Sequence, residues 1–349
     1  MTEIIYLLIM LLSILVFNKI FISSNILLSQ SGEKHQRFVE KDNVPLLGGI
    51  YFLIVFLSIF LNLEKYILSL SLLSIFTLGI FSDLKIIKSP KKRFFLQALL
   101  ILIFIYFLDL EIVSTRIPFF DMLFEFKFIN FIFVLFCVLI LVNGTNFIDG
   151  LNGLVIGYFG IVSLALLKIN FFEQINFSQE NIIFFFGTFT LVFIFNFFKK
   201  LYLGDNGAYV ISLLFGLSLI NYHQSFPNIS PYFIILLLWY PCFENLFSII
   251  RKFRFNKSPI HPDENHFHQV LFFFIRKKFN LKNLYANNFS SFIILSINTI
   301  FITFGLNDIY STKLQIFLII LSSMIYIFSY FFLFNFKYKN FNKKLSTKK

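Results

Sequence analysis

Long apolar runs constrain this chain more than any other feature. They lie at Thr2 to Ile22, Leu46 to Leu61, Tyr66 to Phe81, Phe94 to Leu108, Phe131 to Val142 and Leu154 to Leu167, and again at Ile182 to Phe198, Ala208 to Ile220, Pro231 to Ile250, Phe289 to Phe304 and Leu314 to Phe336. A helix needs about 20 apolar residues to cross the hydrocarbon core of a bilayer. Several runs are shorter and reach that length only with their uncharged polar flanks. The fold class expected is therefore all-α: a polytopic integral membrane protein with about eleven transmembrane helices. A composition of 58% hydrophobic and 14% charged residues, with mean hydropathy +0.80, sits far from the soluble balance of roughly a quarter charged.

Charge follows the topology. With the N-terminus outside, roughly 24 of the 30 lysines and arginines fall in inward loops, as the positive-inside rule requires. The net charge of +12 is thus an orientation signal that also suits anionic lipid head groups, and no nucleic-acid partner is expected. The first run lacks a basic leader and a small-residue cleavage site, so it reads as a retained span. Cys137 and Cys242 fall inside spans and read as packing residues. The 56 phenylalanines look like a genome-wide bias and carry no function.

No hydrophilic stretch is long enough for a second domain, so residues 1–349 read as one membrane domain. It has a long inward loop at 251–288 and a basic cytoplasmic tail at 337–349. Within the loop, Val270 to Ile275 reads as a short amphipathic helix at the interface.

The same orientation puts the polar gaps holding Asp83, Asp149, Asp205 and the His261 to His268 stretch on one side, the cytoplasmic one. Charge beside hydrocarbon is costly, and acids gathered at helix ends there suit a divalent cation. In Asn143-Gly144-Thr145-Asn146-Phe147-Ile148-Asp149-Gly150, Asn143, Asn146 and Asp149 recur every third residue and share a helical face. Asp205, in Tyr202-Leu203-Gly204-Asp205-Asn206-Gly207, reads alone as a helix cap and together with the other acids as an oxygen ligand for Mg2+. Asp83 is followed by Lys85 and Arg93, an acid for metal beside bases for phosphate. His261, His266 and His268 with Asp263 have zinc-compatible spacing, yet structural zinc normally recruits cysteine and none is near; the alternatives are imidazoles that donate to a phosphate or pyrophosphate and a solvated loop without a role. Gly48 and Gly49 follow Pro45 at the start of the second run as ordinary helix punctuation.

Taken in order, Pro45-Leu46-Leu47-Gly48-Gly49, Ser82-Asp83, Asn143 to Gly153, Gly204-Asp205-Asn206-Gly207 and Pro262-Asp263-Glu264-Asn265-His266-Phe267-His268 resemble the polyprenyl-phosphate N-acetylhexosamine-1-phosphate transferases. The resemblance covers about residues 30–270. It implies a Mg2+-dependent enzyme, with Mn2+ as a substitute, that moves a sugar 1-phosphate from a UDP-N-acetylhexosamine to undecaprenyl phosphate and releases UMP. The implied setting is the bacterial cytoplasmic membrane, with room for a homodimer. The Pro-Asp-x-x-His-x-His form looks more like enzymes that start surface polysaccharides than like the phospho-MurNAc-pentapeptide transferases, which typically carry three consecutive histidines there.

Carried over by position, Asp205 is the leading metal ligand, with Asn146 and Asp149 near the metal or diphosphate. Asp83, Asp149, Asp205, His266 and His268 take catalytic roles. Tyr202 is placed to stack on uracil, and Lys85, Arg93, Asn143, His261, Asp263, Gly48 and Gly49 complete the substrate site. One departure stands out: the family usually pairs two aspartates where this chain has Ser82-Asp83. A transporter is the competing class and fits less well, because midplane charge is its hallmark and these spans carry almost none. A catalytically silent scaffold is kept open by Ser82.

Overall fold

The computed structural model describes residues 2–29, 43–254 and 264–346. His261 and Asp263 lie outside these described residues. Among them there are fifteen helices and no strand, only an isolated bridge between Leu28 and Pro45. The N-terminal half holds α1 (Thr2–Ser24), α2 (Gly48–Asn62), α3 (Tyr66–Asp83), α4 (Pro90–Phe107), α5 (Pro118–Phe124), α6 (Lys127–Ile148) and α7 (Leu154–Lys168). Then come α8 (Phe171–Gln174), α9 (Gln179–Phe197), α10 (Gly204–Ser225), α11 (Pro231–Leu237), α12 (Trp239–Arg254), α13 (Phe267–Lys278), α14 (Asn283–Gly305) and α15 (Thr312–Ser346).

Each of the eleven apolar runs falls largely in helix. By length and apolarity alone, α1, α3, α6, α9, α14 and α15 can cross a membrane, while α2 and α7 are shorter apolar helices. The protein is a multi-pass membrane protein. Its outer surface is greasy, with Phe128, Tyr106 and Phe328 each more than 70% exposed, as lipid-facing side chains should be. Hydroxyls within the bundle are satisfied locally: Ser163 donates to the Phe159 carbonyl, Ser212 to Ala208 and Ser290 to Ala286, each one turn back.

α10 is the hub. Nearly all of its residues are buried, from Gly204 to His223. Protein rather than lipid surrounds it, so it needs less hydropathy than its neighbours, and the Gly-Asp-Asn-Gly start is tolerated. Glycines bring α2 and α3 against that start at backbone distance: a Cβ on Gly49 would overlap the Asn206 side chain and the Gly207 nitrogen, and one on Gly79 would overlap the Asn206 backbone.

The run Pro231 to Ile250, expected as one span, is broken. α11 and α12 meet at a 79° bend around Leu238. Pro241 has no N–H to give the Leu237 carbonyl and its ring crowds that oxygen. Tyr158 repairs the break, its hydroxyl donating to Leu237 O at 2.8 Å and accepting from Tyr240 N at 3.3 Å. The amphipathic segment of the long loop is α13, with Val270, Leu271, Phe272 and Ile275 buried and Arg276, Lys277 and Lys278 in its last turn, where cations favour the helix dipole. The basic stretch from residue 337 onward continues α15 as helix to Ser346.

Candidate active site

The first turn of α10 leaves its N–H groups without helical partners, and two acids from other helices take them. Asp83, the last residue of α3, accepts from Asp205 N (3.0 Å) with one oxygen, and from Asn206 N (3.1 Å) and Asn206 Nδ2 (2.6 Å) with the other. The Gly204 N–H serves Asp149, which follows the end of α6. Asp205 is therefore not the cap of its own helix; Asp83 supplies the cap from α3, and the side chain of Asp205 is turned outward to a separate cluster.

That cluster joins four helices. Asp205 Oδ1 accepts from Asn146 Nδ2 of α6 at 2.6 Å. Oδ2 accepts from Ser82 Oγ of α3 at 2.5 Å and from Arg93 Nη1 of α4 at 2.9 Å, with Tyr209 OH at 3.5 Å. Arg93 Nη1 also donates to Ser82 Oγ at 2.6 Å. Serine fits this position because its hydroxyl donates to Asp205, where a second carboxylate would repel it. The side chains of Arg93 and Asp205 are 29% and 24% exposed, so water and solutes reach the pair.

Asp149 is half-buried at the rim. Burial, with the charges of Asp205 and Asp83 added, pushes its carboxyl up to about 8, against the Gly204 N–H that favours the charged form. Asp83, Asp149 and Asp205 thus lie near one another at the start of α10 with Arg93 paired to Asp205, an excess of negative charge that a cation would relieve. Among the described residues no three acids, imidazoles or thiols are grouped so as to hold a metal ion by themselves. Hard oxygen donors in an incomplete set match Mg2+, which takes one or two carboxylates and fills the rest with water and phosphate oxygens. Asp205, Asp149 and the amide oxygen of Asn146, once turned over, are the donors available.

A raised acid also has a stability signature. In the folded chain Asp149 holds its proton up to about 8, against 3.8 for an ordinary aspartate, so its contribution is full below 3.8 and is lost as pH climbs through 8. In metal-free detergent buffer, Asp149→Asn is expected to melt above the parent by a margin that grows from pH 4 to pH 8 and then levels. A margin independent of pH would contradict this.

The histidines lie on the other side of the Asn143 to Gly153 segment. His266 caps α13, and its Nδ1 meets Glu244 Oε1 of α12 at 2.9 Å. His268 is fully buried with neither ring nitrogen bonded, its Nε2 only 2.5 Å from where a Cβ on Gly150 would stand. Burial, with His266 adding, drives His268 down to about 3, so the ring is neutral. The two imidazoles stack at 5.8 Å, and Phe147 packs on His266 at 5.2 Å. The end of α15 fastens this corner: Lys337 Nζ donates to Glu264 O (2.7 Å) and Asn265 Oδ1 (2.8 Å), and Tyr330 OH to Asn265 O (3.1 Å).

The structure brings Asp205, Asn146, Ser82 and Arg93 into one hydrogen-bonded cluster, sets Asp83 and Asp149 on the backbone at the start of α10, and places His266 against Phe147 and His268 against Gly150. Asn143 turns to Gln97 of α4 (3.2 Å). Gly48 and Gly49 lie in the close contact with α10, and Gly48 N and Tyr202 N pair with Tyr202 O and Pro45 O. Lys85 is exposed in a left-handed turn after α3. Sequence reasoning missed Glu244, an acid inside an apolar run whose rarity was itself a signal, and it missed Gln97, Asn206 and Lys337, whose roles depend on helix register.

Fold and site together define a multi-pass helical membrane protein with an acid cluster and paired imidazoles about one helix start. Residues 66–223 match the model of glycosyl transferase family 4. It is 28% identical over 279 residues, 76% of this chain and 75% of the relative, to a probable undecaprenyl-phosphate N-acetylglucosaminyl 1-phosphate transferase of Bacillus subtilis (strain 168). A phospho-N-acetylmuramoyl-pentapeptide-transferase of Prochlorococcus marinus is 29% identical over 57% of this chain and 61% of its own length. A decaprenyl-phosphate N-acetylglucosaminephosphotransferase of Mycolicibacterium smegmatis is 27% identical over 38% of this chain and 37% of its own length.

Proposed function

We propose that the protein transfers an N-acetylhexosamine 1-phosphate from a UDP-sugar to undecaprenyl phosphate at the inner face of the bacterial cytoplasmic membrane, the first step of a surface polysaccharide. The observation that carries the reading is the convergence of Asp205, Asp149, Asn146 and Arg93 around the start of α10, with His266 and His268 alongside. Both reactants are anions, so they meet only where their repulsion is offset. Arg93 leaves Asp205 to hold a phosphate, His266 and His268 face the nucleotide-sugar, and Asp149 loses its proton to water as cationic charge enters the site. Asp205 and Asp149 with Asn146 would hold Mg2+, which when bound would offset the charge of the diphosphate under attack and of the departing UMP. An oxygen of the lipid phosphate bonds to the sugar-bearing phosphorus and becomes the bridge of the new diphosphate, the bond from that phosphorus to the old bridging oxygen breaks, and UMP departs with the old bridging oxygen. The lipid phosphate is already largely ionised at neutral pH, so no carboxylate is required at position 82.

Purified protein with undecaprenyl phosphate and Mg2+ is expected to release UMP from UDP-GlcNAc or another UDP-N-acetylhexosamine, with EDTA abolishing release. Absence of UMP from every such donor would overturn the reading. The match to the Prochlorococcus relative favours a second reading, transfer from UDP-MurNAc-pentapeptide; turnover of that donor alone would establish it instead.

A further inference from the structure

We infer that Glu244, from the bent helix α12, is a positioning residue that fixes the ring orientation and tautomer of His266. The inference rests on the reading above for the role of His266, though not for its own geometry. Glu244 is 1% exposed on the buried face of the amphipathic helix α12, where a carboxylate persists only if its oxygens are occupied. Three donors converge on it. Oε1 accepts from Phe267 N at 3.2 Å and meets His266 Nδ1 at 2.9 Å; Oε2 accepts from Tyr326 OH of α15 at 2.6 Å. A carboxylate that receives a backbone N–H and a phenol serves as an acceptor toward the imidazole too, so the His266 proton sits on Nδ1 and Nε2 is the nitrogen left for a ligand. This is the carboxylate–histidine arrangement that orients functional imidazoles elsewhere. Two features hold the ring at the right pitch: the Phe147 ring at 5.2 Å on one side and the stacked His268 at 5.8 Å. The 79° bend at Leu238 is what turns α12 so that Glu244 can reach the first turn of α13. Tyr326 lies outside the 66–223 family match, as do Glu244 and His266, so this part of the site is built by the C-terminal third of the chain.

The test uses the full-length protein in detergent or nanodiscs, labelled with 15N-histidine. His266 is assigned by comparison with His266→Gln, and its ring nitrogens report the tautomer without any substrate. The wild-type protein is expected to show His266 protonated at Nδ1. Glu244→Gln leaves a single acceptor oxygen for three donors. It is expected to lower kcat/KM by about tenfold, chiefly by raising KM for UDP-GlcNAc while KM for undecaprenyl phosphate stays unchanged, a split that general loosening of the bundle would not give. The double variant Glu244→Leu with Tyr326→Phe leaves no orphan hydroxyl; its His266 is expected to lose the Nδ1-protonated signal. Wild-type His266 protonated at Nε2, or an unchanged kcat/KM in Glu244→Gln, would overturn the inference. Should the wild type turn over no UDP-sugar, the functional reading fails while the tautomer still decides this one.

Discussion

Asp205→Asn is expected to lower the rate of UMP release by about a thousandfold, the scale seen when a preorganised charge at a reacting phosphate or oxyanion is removed, while the protein stays folded. The substitution is isosteric. Its amide oxygen still accepts from Ser82 or Arg93, its Nδ2 faces Asn146, whose amide must turn over to accept from it, and the ion pair with Arg93, at 2.9 Å and partly exposed, is lost. Exposed pairs of that kind contribute about 1 kcal/mol or less. The α10 start keeps its cap, because Asp83 and not Asp205 binds the backbone N–H groups of residues 205 and 206. A large rate effect with a small change in melting temperature is therefore the expected signature, measured by UMP release beside thermal unfolding in detergent. Equal losses in both would mean that Asp205 is a structural residue.

The largest effect on folding is expected from Gly49→Ala. The added methyl would occupy the space of the Asn206 side chain and the Gly207 backbone nitrogen. Neither can give way cheaply: Asn206 is fully buried and held by Asp83, and Gly207 is itself in a helix packed at backbone distance. Overpacking in a rigid core usually costs about 1–3 kcal/mol, and displacing backbone together with a buried, hydrogen-bonded amide puts this substitution at or above the top of that range. Yield of monodisperse protein and melting temperature both read it out. A variant that purifies and melts like the parent would show that α2 and α10 are not locked together.

Much of this architecture was legible in the chain. Runs of apolar residues marked helices because a lipid-facing helix has no other way to satisfy its surroundings, and the three aspartates announced themselves by interrupting those runs at helix ends. What each aspartate does was not legible. Asp83 ends α3 and Asp205 begins α10, so the sequence offers only Asp205 as a cap; that Asp83 caps α10 while Asp205 faces Arg93 is decided by how α3 and α10 are rotated against each other. Glu244 could have been found by asking why an acid sits between Phe243 and Asn245 in a span, and Pro241 announced the break that carries it to His266. Lys337 carried no such mark, since a lysine near the end of a basic stretch looks like any other until the turn of α15 that holds it meets Asn265.

Ser82 fits the same picture. Its hydroxyl at 2.5 Å orients Asp205 and accepts from Arg93, so the position supplies a hydrogen bond where the resemblance would have placed a carboxylate. With a lipid phosphate that needs no deprotonation, orientation and charge are the requirements that remain.

The most direct test of the account is Mn2+ binding followed by electron paramagnetic resonance, with purified protein and UDP-GlcNAc. One Mn2+ per chain is expected to lose its free-ion signal only when the nucleotide-sugar is present, to be displaced by excess Mg2+, and to bind at least tenfold more weakly in Asp205→Asn and Asp149→Asn. Mn2+ uptake that ignores the nucleotide-sugar, or that is identical in the parent and both variants, would contradict it.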